Sequence, residues 1–271
     1  MECSIAILLA TYNGERYLKE QIDSIINQSL KGWTLYIHDD GSVDNTLSII
    51  LAYSQKYNNI KLVSDTINHR GAAQSFIYLL EHVESEYYMF CDQDDIWLPD
   101  KIYQALTTLK RIEKKYDKHP ILVHTDLKIV NSKLEVLNNS FWEYTGLKRY
   151  IGHIEYLSVL NYITGSTMLF NHYAKETVFP VPKNILMHDS WIGLCVSNNG
   201  GLIIDLDNSS ILYRQHNNNV LGARPMASII TKLFNIVTVC KKNYYYYKMV
   251  RKATGISFLT YIKLKIQICF V

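Results

Sequence analysis

The sequence predicts an open, mostly parallel α/β sheet, and three observations lead to this fold class. Short apolar runs alternate with stretches of helical periodicity through the first half of the chain. Polar and acidic clusters follow the apolar runs, at the ends of the predicted strands, where sheets of this kind bind ligands. The chain has 271 residues, 48% of them hydrophobic and 20% charged, so it can build a large core and disorder is excluded.

Each element of the first half has its own local signal. Strands are predicted where apolar residues run together, at 4–10, 34–38, 60–64, 87–91 and 121–125. Helices are predicted from their apolar spacing at 15–28, 44–57, 72–82 and 99–115. The last of them begins with Pro99, a residue suited to a first helical turn. Because crossover helices join parallel strands, helices should flank the sheet.

The alternation weakens after about residue 127, where mixed strands and loops are expected at 162–171, 186–196 and 202–213. Residues 1–225 are predicted to form one body with two halves, about 1–126 and 127–225. Residues 226–271 form a separate tail, which begins with an apolar stripe at helical spacing over 228–240. The prediction is therefore one body with a C-terminal helical extension.

The five cysteines are widely scattered and contain no C-x-x-C pair. Neither a disulfide framework nor a structural zinc site is indicated. The apolar run at 5–10 is far too short for a signal-peptide core or a membrane span. We therefore expect a cytoplasmic protein.

The charge is distributed unevenly along the chain. Residues 226–271 contain eight Lys/Arg and no Asp/Glu, which leaves residues 1–225 with 20 basic and 25 acidic residues, a balance of −5. A nucleic-acid enzyme usually spreads basic charge over its body, so no nucleic-acid partner is expected. Two interpretations of the tail stay open. It lies as an amphipathic helix on the anionic inner face of a membrane, or it packs as a helical hairpin on the body or on a second copy.

Two polar clusters follow the first and second predicted strands. The segment from Thr11 to Glu15 opens a helix but contains neither of the common glycine-rich nucleotide-binding patterns. Asp39 and Asp40 follow the second strand, where a carboxylate can accept hydrogen bonds from a base or a ribose hydroxyl. A helix cap and turn is the alternative for these two residues.

A third cluster follows the fourth predicted strand and is strongly acidic. It contains Asp92, Asp94 and Asp95, with Gln93 between the first two. Three carboxylates at this range repel one another unless a cation or hydrogen-bond donors compensate. Oxygen ligands suit Mg²⁺ or Mn²⁺ held together with substrate phosphates. The alternative is that these acids cap the helix that begins at Pro99.

These clusters, taken in order, resemble family 2 glycosyltransferases of the GT-A fold. The motifs are Thr11-Tyr12-Asn13, Asp39-Asp40-Gly41-Ser42 and Asp92-Gln93-Asp94-Asp95. Later segments are similar to a subgroup of bacterial rhamnosyltransferases, namely Gly165 to Asn171, His188-Asp189-Ser190-Trp191 and Tyr213 to Asn219. The resemblance spans about residues 3–222 and says little about the tail. It implies a nucleotide-sugar half in residues 1–126 and an acceptor half in residues 127–225.

The resemblance also implies a role for individual residues. Nucleotide-sugar contacts fall on Thr11, Tyr12, Asn13, Glu15, Asp40, Arg70, Asp92 and Gln93, with Asp40 reading the base. Metal ligands fall on Asp94 and on His216, and a histidine ligand slightly favours Mn²⁺ over Mg²⁺. Contacts to the acceptor or the diphosphate fall on Gly165, His188, Trp191, Arg214 and Gln215.

Asp189 matches the family's catalytic acidic residue, and its implied role is to take the proton from the acceptor hydroxyl. The alternative for Asp189 is a helix N-cap. The implied reaction is inverting and metal-dependent. It moves a sugar, with L-rhamnose from dTDP-β-L-rhamnose favoured and a UDP-hexose still open, to a glycan or lipid-linked acceptor. A sugar-1-phosphate nucleotidyltransferase and a non-catalytic nucleotide-binding protein are alternatives from other classes.

Overall fold

The computed structural model describes residues 4–65, 70–147, 153–183, 185–216, 222–223 and 236–269. The strands are β1 Ile5–Thr11, β2 Trp33–Asp39, β3 Ile60–Leu62, β4 Tyr87–Cys91, β5 Ile96–Trp97, β6 Ile121–Val130, β7 Val136–Asn138, β8 Leu169–Asn171 and β9 Leu202–Arg214. The helices of the body are α1 Leu18–Ile26, α2 Thr46–Lys56, α3 Ala72–His82, α4 Lys101–Glu113, α5 Phe141–Thr145, α6 Ile154–Leu157, α7 His172–Val178 and α8 His188–Asn198. The tail forms α9 Ile236–Thr254 and α10 Phe258–Cys269.

The described strands form one sheet in the order β3-β2-β1-β4-β8-β6-β9-β5, with β7 paired to β6. β1 to β4 are parallel to one another, as the alternation of strands and helices predicts. The predicted bounds of α3 and β4 match the structure, because both elements have sharp local patterns. Residues 188–198, expected among mixed strands and loops, form helix α8 instead.

The second half of the sheet contains both parallel and antiparallel strand pairs. One of these pairs brings the chain back to the acidic cluster. β8 lies antiparallel between β4 and β6. β9 runs parallel to β6, and near its end it pairs antiparallel with β5, which directly follows the acidic cluster. This pairing places Arg214, at the end of β9, beside Asp94 and Asp95.

Both faces of the sheet are covered, as parallel sheets require. Successive residues of β1 point to opposite faces, so Leu8 packs with α3 and α8 while Ile7 and Leu9 pack with α1 and α4. The strands therefore read as continuous apolar runs. Burial on both sides holds the strand ends, and the polar loops that follow them, in fixed positions.

The tail is a helical hairpin that packs on the body. Met249 and Val250 of α9 are buried against the α8 side of the core. Tyr247 and Tyr261, one from each tail helix, form a small buried cluster with Val159. Most of the predicted stripe at 228–240 lies outside the described residues, and α9 begins at Ile236. Within the described ranges, no helix is long and apolar enough to cross a membrane.

Candidate active site

A cavity of about 460 Å³ opens at the carboxyl ends of β1, β2 and β4. The start of α3 and the start of α8 close its other side. Nine residues that the sequence singled out line this cavity together: Thr11, Tyr12, Asp40, Asp92, Gln93, Asp94, Gly165, His188 and Asp189. Asp92 and Asp94 of the acidic cluster therefore face the same space as Asp189, which lies far away in the chain.

Two loops at the cavity rim are joined through Gln93. Its side-chain oxygen accepts from the backbone amide of Tyr12 (2.9 Å), and its side-chain amide donates to the carbonyl of Tyr12 (3.1 Å). A Cβ at Gly14 would collide with Oε1 of Gln93, so a larger residue there would displace this side chain. The bridge holds the loop after β1 against the acidic loop after β4.

Asp40 lines the cavity and also organises its wall. Its two carboxylate oxygens accept from the backbone amides of Arg70 (2.7 Å) and Gly71 (2.8 Å). Gly71 precedes α3 with a φ of 80°, a conformation that favours glycine. Asp40 thus fixes the first turn of α3 at the cavity edge.

Asp94 and His216 meet although 121 residues separate them in the chain. The Nε2 of His216 lies 2.8 Å from Oδ2 of Asp94. The His216 ring also packs against the Tyr17 ring, with centroids 4.9 Å apart. Because β9 pairs with β5, the residue two positions beyond Arg214 reaches the acidic loop.

Arg214, for which the resemblance implies a contact to the acceptor or the diphosphate, does not line the cavity. Its guanidinium is buried, with Nε donating to the carbonyl of Asp94 (2.9 Å) and Nη1 to the carbonyl of Ser132 (3.1 Å). Nη2 donates to the carboxylate of Glu20, and the guanidinium carbon lies 4.4 Å from the centre of the Tyr17 ring. Arg214 therefore fixes the backbone of the acidic loop by hydrogen bonds from its buried guanidinium.

Burial and neighbouring like charges raise the pKa values of two carboxyl groups in the acidic loop. Burial, followed by the nearby carboxylates of Asp94 and Asp189, raises the pKa of Asp92 to about 7. Burial and the same kind of repulsion raise the pKa of Asp95 well above its ordinary value. The backbone amide of Arg214 donates to Asp95 (3.0 Å) and partly offsets this.

The donor set of this loop fits a divalent cation. Asp94 supplies a carboxylate and His216 an imidazole nitrogen that lies 2.8 Å from it, and Asp92 lines the same cavity. Among the described residues, no group of three or more His, Cys, Asp or Glu could hold an ion. Mg²⁺ sites of one or two carboxylates are normally completed by substrate phosphates, so a smaller protein set is sufficient.

Asp189 lies in the first turn of α8 and faces the cavity. Oδ1 accepts from the side-chain amide of Asn161 (3.2 Å) and the backbone amide of Ser190 (2.5 Å), and Oδ2 accepts from the backbone amide of Gly165 (3.2 Å). Burial raises its pKa to about 6, although these hydrogen bonds favour the charged form. A carboxylate with this pKa is ionised at neutral pH and can still accept a proton.

His188 forms the apolar wall next to Asp189. Its ring lies 4.2 Å from the Phe76 ring, and burial lowers its pKa to about 3, so the imidazole is neutral. Neither ring nitrogen has a hydrogen-bond partner among the described residues. A Cβ on Gly165 would lie 2.5 Å from the His188 Nε2, which explains a glycine there.

Four residues predicted for the nucleotide or acceptor contacts do not line the cavity and bind other parts of the fold. Asn13 accepts from the backbone amide of Val43 (2.9 Å), and Glu15 accepts from the backbone amide of Asn45 (2.9 Å). Both bind the loop before α2, and neither lines the cavity. Trp191 is also outside the cavity. It is buried in the core because α8 turns its indole inward, where it donates to the carbonyl of Val178 (3.0 Å).

Gln215 is the fourth of these residues. Its side-chain oxygen accepts from the backbone amide of Ala223 (2.7 Å), and it does not line the cavity. Arg70 is likewise engaged elsewhere, since its guanidinium forms an ion pair with Asp65 and stacks on the Tyr78 ring at 4.6 Å. Packing in the folded chain directs both side chains away from the space that their motifs suggested.

The sequence interpretation missed two residues that hold the site. Asn161 donates to Asp189, and Glu20 accepts from Arg214. Neither stands in a motif, since Glu20 is one acid on the polar face of α1 and Asn161 lies in an irregular loop. Shortly after Asn161, a 3₁₀ turn at Gly165–Thr167 shows that this loop is tightly folded.

Comparisons with known proteins identify the family. Residues 6–177 match the description Glycosyl transferase family 2. The chain is 29% identical over 265 residues to the dTDP-rhamnosyl transferase RfbG of Shigella flexneri, covering 90% of this chain and 82% of that protein. It is 25% identical over 136 residues to the UDP-Glc:alpha-D-GlcNAc-diphosphoundecaprenol beta-1,3-glucosyltransferase WfgD of Escherichia coli, covering 50% of this chain and 47% of that protein.

Solved structures show the same architecture. S. aureus TarS 1-349 in complex with UDP-GlcNAc has a TM-score of 0.68 at 16% identity, covering 98% of this chain and 71% of that chain. The mannosyltransferase PcManGT from Pyrobaculum calidifontis, in complex with GDP-Man and Mn²⁺, has a TM-score of 0.59 at 14% identity, covering 98% and 79%. These likenesses confirm the predicted GT-A fold. Because the family match runs from β1 into α7 and takes in the acidic loop, this chain belongs to glycosyl transferase family 2.

Proposed function

We propose that this glycosyltransferase transfers L-rhamnose from dTDP-β-L-rhamnose to a glycan or lipid-linked saccharide, with inversion at the anomeric carbon. The observation that carries the proposal is the shared cavity, which Asp92, Asp94 and Asp189 all line. The donor sugar is supported by the similarity to RfbG along most of both chains. Inversion of a β-linked donor would give an α-L-rhamnoside.

The chemistry of the step follows from Asp189. An acceptor hydroxyl attacks the anomeric carbon from the face opposite the diphosphate, and its proton passes to the Asp189 carboxylate. The bond from the anomeric carbon to the diphosphate oxygen breaks, and the electron pair leaves with dTDP. The hydrogen bonds from Asn161 and Gly165 hold the carboxylate in place for this proton transfer. No covalent enzyme intermediate is needed.

The residues at the strand ends would bind the nucleotide diphosphate. Thr11, Tyr12 and Asp40 would contact the nucleoside, Asp92 would approach the ribose, and Asp94 would lie at the phosphates; all five line the cavity. Mn²⁺ or Mg²⁺ held by Asp94 and His216 would neutralise the charge that develops on the departing diphosphate. Arg214 keeps the backbone of this loop in position.

Another donor class has its own support. TarS is solved with UDP-GlcNAc, and WfgD is named for UDP-Glc, so a UDP-hexose is the second candidate donor. Membership of a glycosyltransferase family removes the nucleotidyltransferase and the non-catalytic binding protein from consideration. WfgD is named for a diphosphoundecaprenol-linked acceptor, which supports a lipid-linked saccharide here and a peripheral position at the inner face of the membrane.

A panel of nucleotide sugars separates these donors. The protein with Mn²⁺ is titrated with dTDP, dTDP-β-L-rhamnose, UDP-GlcNAc and UDP-Glc, and the melting temperature is followed. A ligand present at 100 times its Kd adds about 2.7 kcal/mol to the free energy of unfolding, which moves the melting temperature visibly. Shifts with UDP-sugars and none with dTDP compounds would refute the rhamnose assignment.

Asp189→Asn separates binding from chemistry. The variant should bind the donor as the wild type does, since the carboxamide keeps the shape of the side chain. It should lose about 10²- to 10⁴-fold in transfer, because it cannot accept the proton. Full transfer by this variant would exclude Asp189 as the base.

A further inference from the structure

Helix α10 carries an exposed apolar stripe, formed by Phe258, Leu259, Ile262 and Ile266. Their side chains are 48%, 81%, 38% and 57% exposed, respectively. Spacings of one, three and four residues place all four on one face of a helix. Exposed apolar side chains gathered on one helical face differ from the single exposed hydrophobic residues that are normal on protein surfaces.

Apart from Phe258, whose ring centroid lies 5.0 Å from that of Tyr247, the stripe is not the face by which α10 packs on the body. That face contains Tyr261, which is 1% exposed and packs on Val159 and Tyr247. Leu264 and Ile268 flank the same cluster. Helix α10 therefore has two apolar faces, one against the protein and one towards the outside.

The positive charge around the stripe favours an anionic partner. Lys263 is exposed at one border of the stripe, and Lys241, Lys242, Lys248, Arg251 and Lys252 are exposed on α9. The whole segment 226–271 contains no Asp or Glu. Two copies meeting symmetrically through this surface would oppose cation to cation, whereas an anionic surface would be attracted. Exposed Tyr244 and Tyr245 add aromatic rings of the kind found at the boundary between lipid and water.

We infer that the apolar stripe of α10 docks into the interface of an anionic lipid bilayer. The helix lies in the membrane plane with the stripe among the acyl chains and the cations of α9 and α10 over the lipid phosphates. Each cation near the surface raises the binding constant about fivefold, and insertion of the apolar side chains supplies the remaining affinity. Only the purpose of this docking rests on the proposed function, in which a peripheral position at the membrane brings the enzyme to a lipid-linked acceptor.

Hydrogen bonds connect the docking surface to the catalytic cavity. The Tyr246 hydroxyl donates to the carbonyl of Leu157 (2.8 Å), and the Lys265 amine donates to the carbonyl of Val159 (2.8 Å). Asn161, two residues further along, donates to Asp189. The tail hairpin therefore supports the loop that orients the proposed base, so docking would place the acceptor side of the cavity in a defined relation to the membrane.

The test uses the full chain and sedimentation with two kinds of vesicle, phosphatidylcholine alone and phosphatidylcholine with phosphatidylglycerol. The wild type should bind the anionic vesicles at least about tenfold more tightly than the neutral ones, and added salt should weaken this binding. The triple variant Leu259→Gln, Ile262→Gln and Ile266→Gln should lose at least about tenfold in binding to anionic vesicles. Leu137→Gln, at a residue 59% exposed on β7, is the matched control and should bind as the wild type does.

Several results would overturn the inference. These are equal binding to both vesicles, no binding to either, or a triple variant that binds as tightly as the wild type. A wild-type dimer in light scattering that the triple variant loses, without lipid binding, would show that a second copy covers the stripe. Unchanged circular dichroism and an unchanged melting temperature confirm that the variants fold. No donor or acceptor enters the assay, so its outcome is independent of the proposed reaction.

Discussion

Asn161→Ala tests how the cavity tunes its proposed base. The Asn161 amide donates to Oδ1 of Asp189 over 3.2 Å, and this bond favours the charged carboxylate. A hydrogen bond to a charged group contributes about 1.5–3 kcal/mol, and the lower end applies to a bond of this length. At 1.36 kcal/mol per unit, its loss should raise the pKa of Asp189 by about one unit.

The pH dependence of kcat/KM measures this shift. With the pKa of Asp189 at about 6, the acid limb of the wild type should lie near that pH, because only the ionised carboxylate accepts a proton. Asn161→Ala should move the limb upward by about one unit. Its kcat/KM should fall about tenfold well below pH 6, about twofold near pH 7, and hardly at all near pH 9. Asn199→Ala, which removes a side-chain hydrogen bond at the far end of α8, should leave the limb in place.

The profile can refute the reasoning in two ways. If the limb stays in place or moves to lower pH, the Asn161 bond does not support the charged form of Asp189. If activity falls equally at every pH, Asn161 acts only through the shape of its loop, which it also braces by accepting from the backbone amide of Ile163.

Three further substitutions test other parts of the site. Gly165→Ala places a Cβ 2.5 Å from Nε2 of His188, so KM for donor or acceptor should rise while the fold is kept. His216→Ala removes the imidazole beside Asp94, and a Mn²⁺ titration should require about tenfold more metal for half-maximal activity. Arg214→Met leaves the Asp94 carbonyl without its buried donor. This variant should lower the free energy of unfolding in urea by about 3 kcal/mol and reduce kcat. Arg214→Lys should restore part of the lost stability and part of the lost kcat.

Each of these expectations has a contrary result. Wild-type kinetics for the alanine at position 165 would mean that His188 moves freely and does not form the cavity wall. An unchanged metal requirement without His216 would assign the metal to carboxylates alone. A methionine at position 214 that preserves stability would show that the acidic loop keeps its position without the guanidinium.

The first half of the fold could be predicted because its signals are local. The apolar spacing of α3 and the apolar run of β4 depend only on neighbouring residues, and their bounds match the structure. The second half lacks such signals, because β8 and β9 are set by pairing with strands far away in the chain. The prediction for residues 186–196 failed for a different reason. Helix α8 is buried on nearly every side, so its polar and apolar residues are not separated onto two faces and no amphipathic period appears.

The sequence by itself determined which chemical groups stand at the strand ends. Asp40, Asp92 and Asp94 were recognised from residue type and order at the strand ends, and Asp189 was recognised from the family resemblance; the structure places all four around one cavity. Only the tertiary structure decided where the side chains beyond those ends point. Trp191 stands in the same motif as Asp189, and Arg214 stands in the later motif from Tyr213 to Asn219, yet packing turns both side chains into the protein. The direction of a side chain depends on neighbours brought from distant parts of the chain, and no local pattern contains that information.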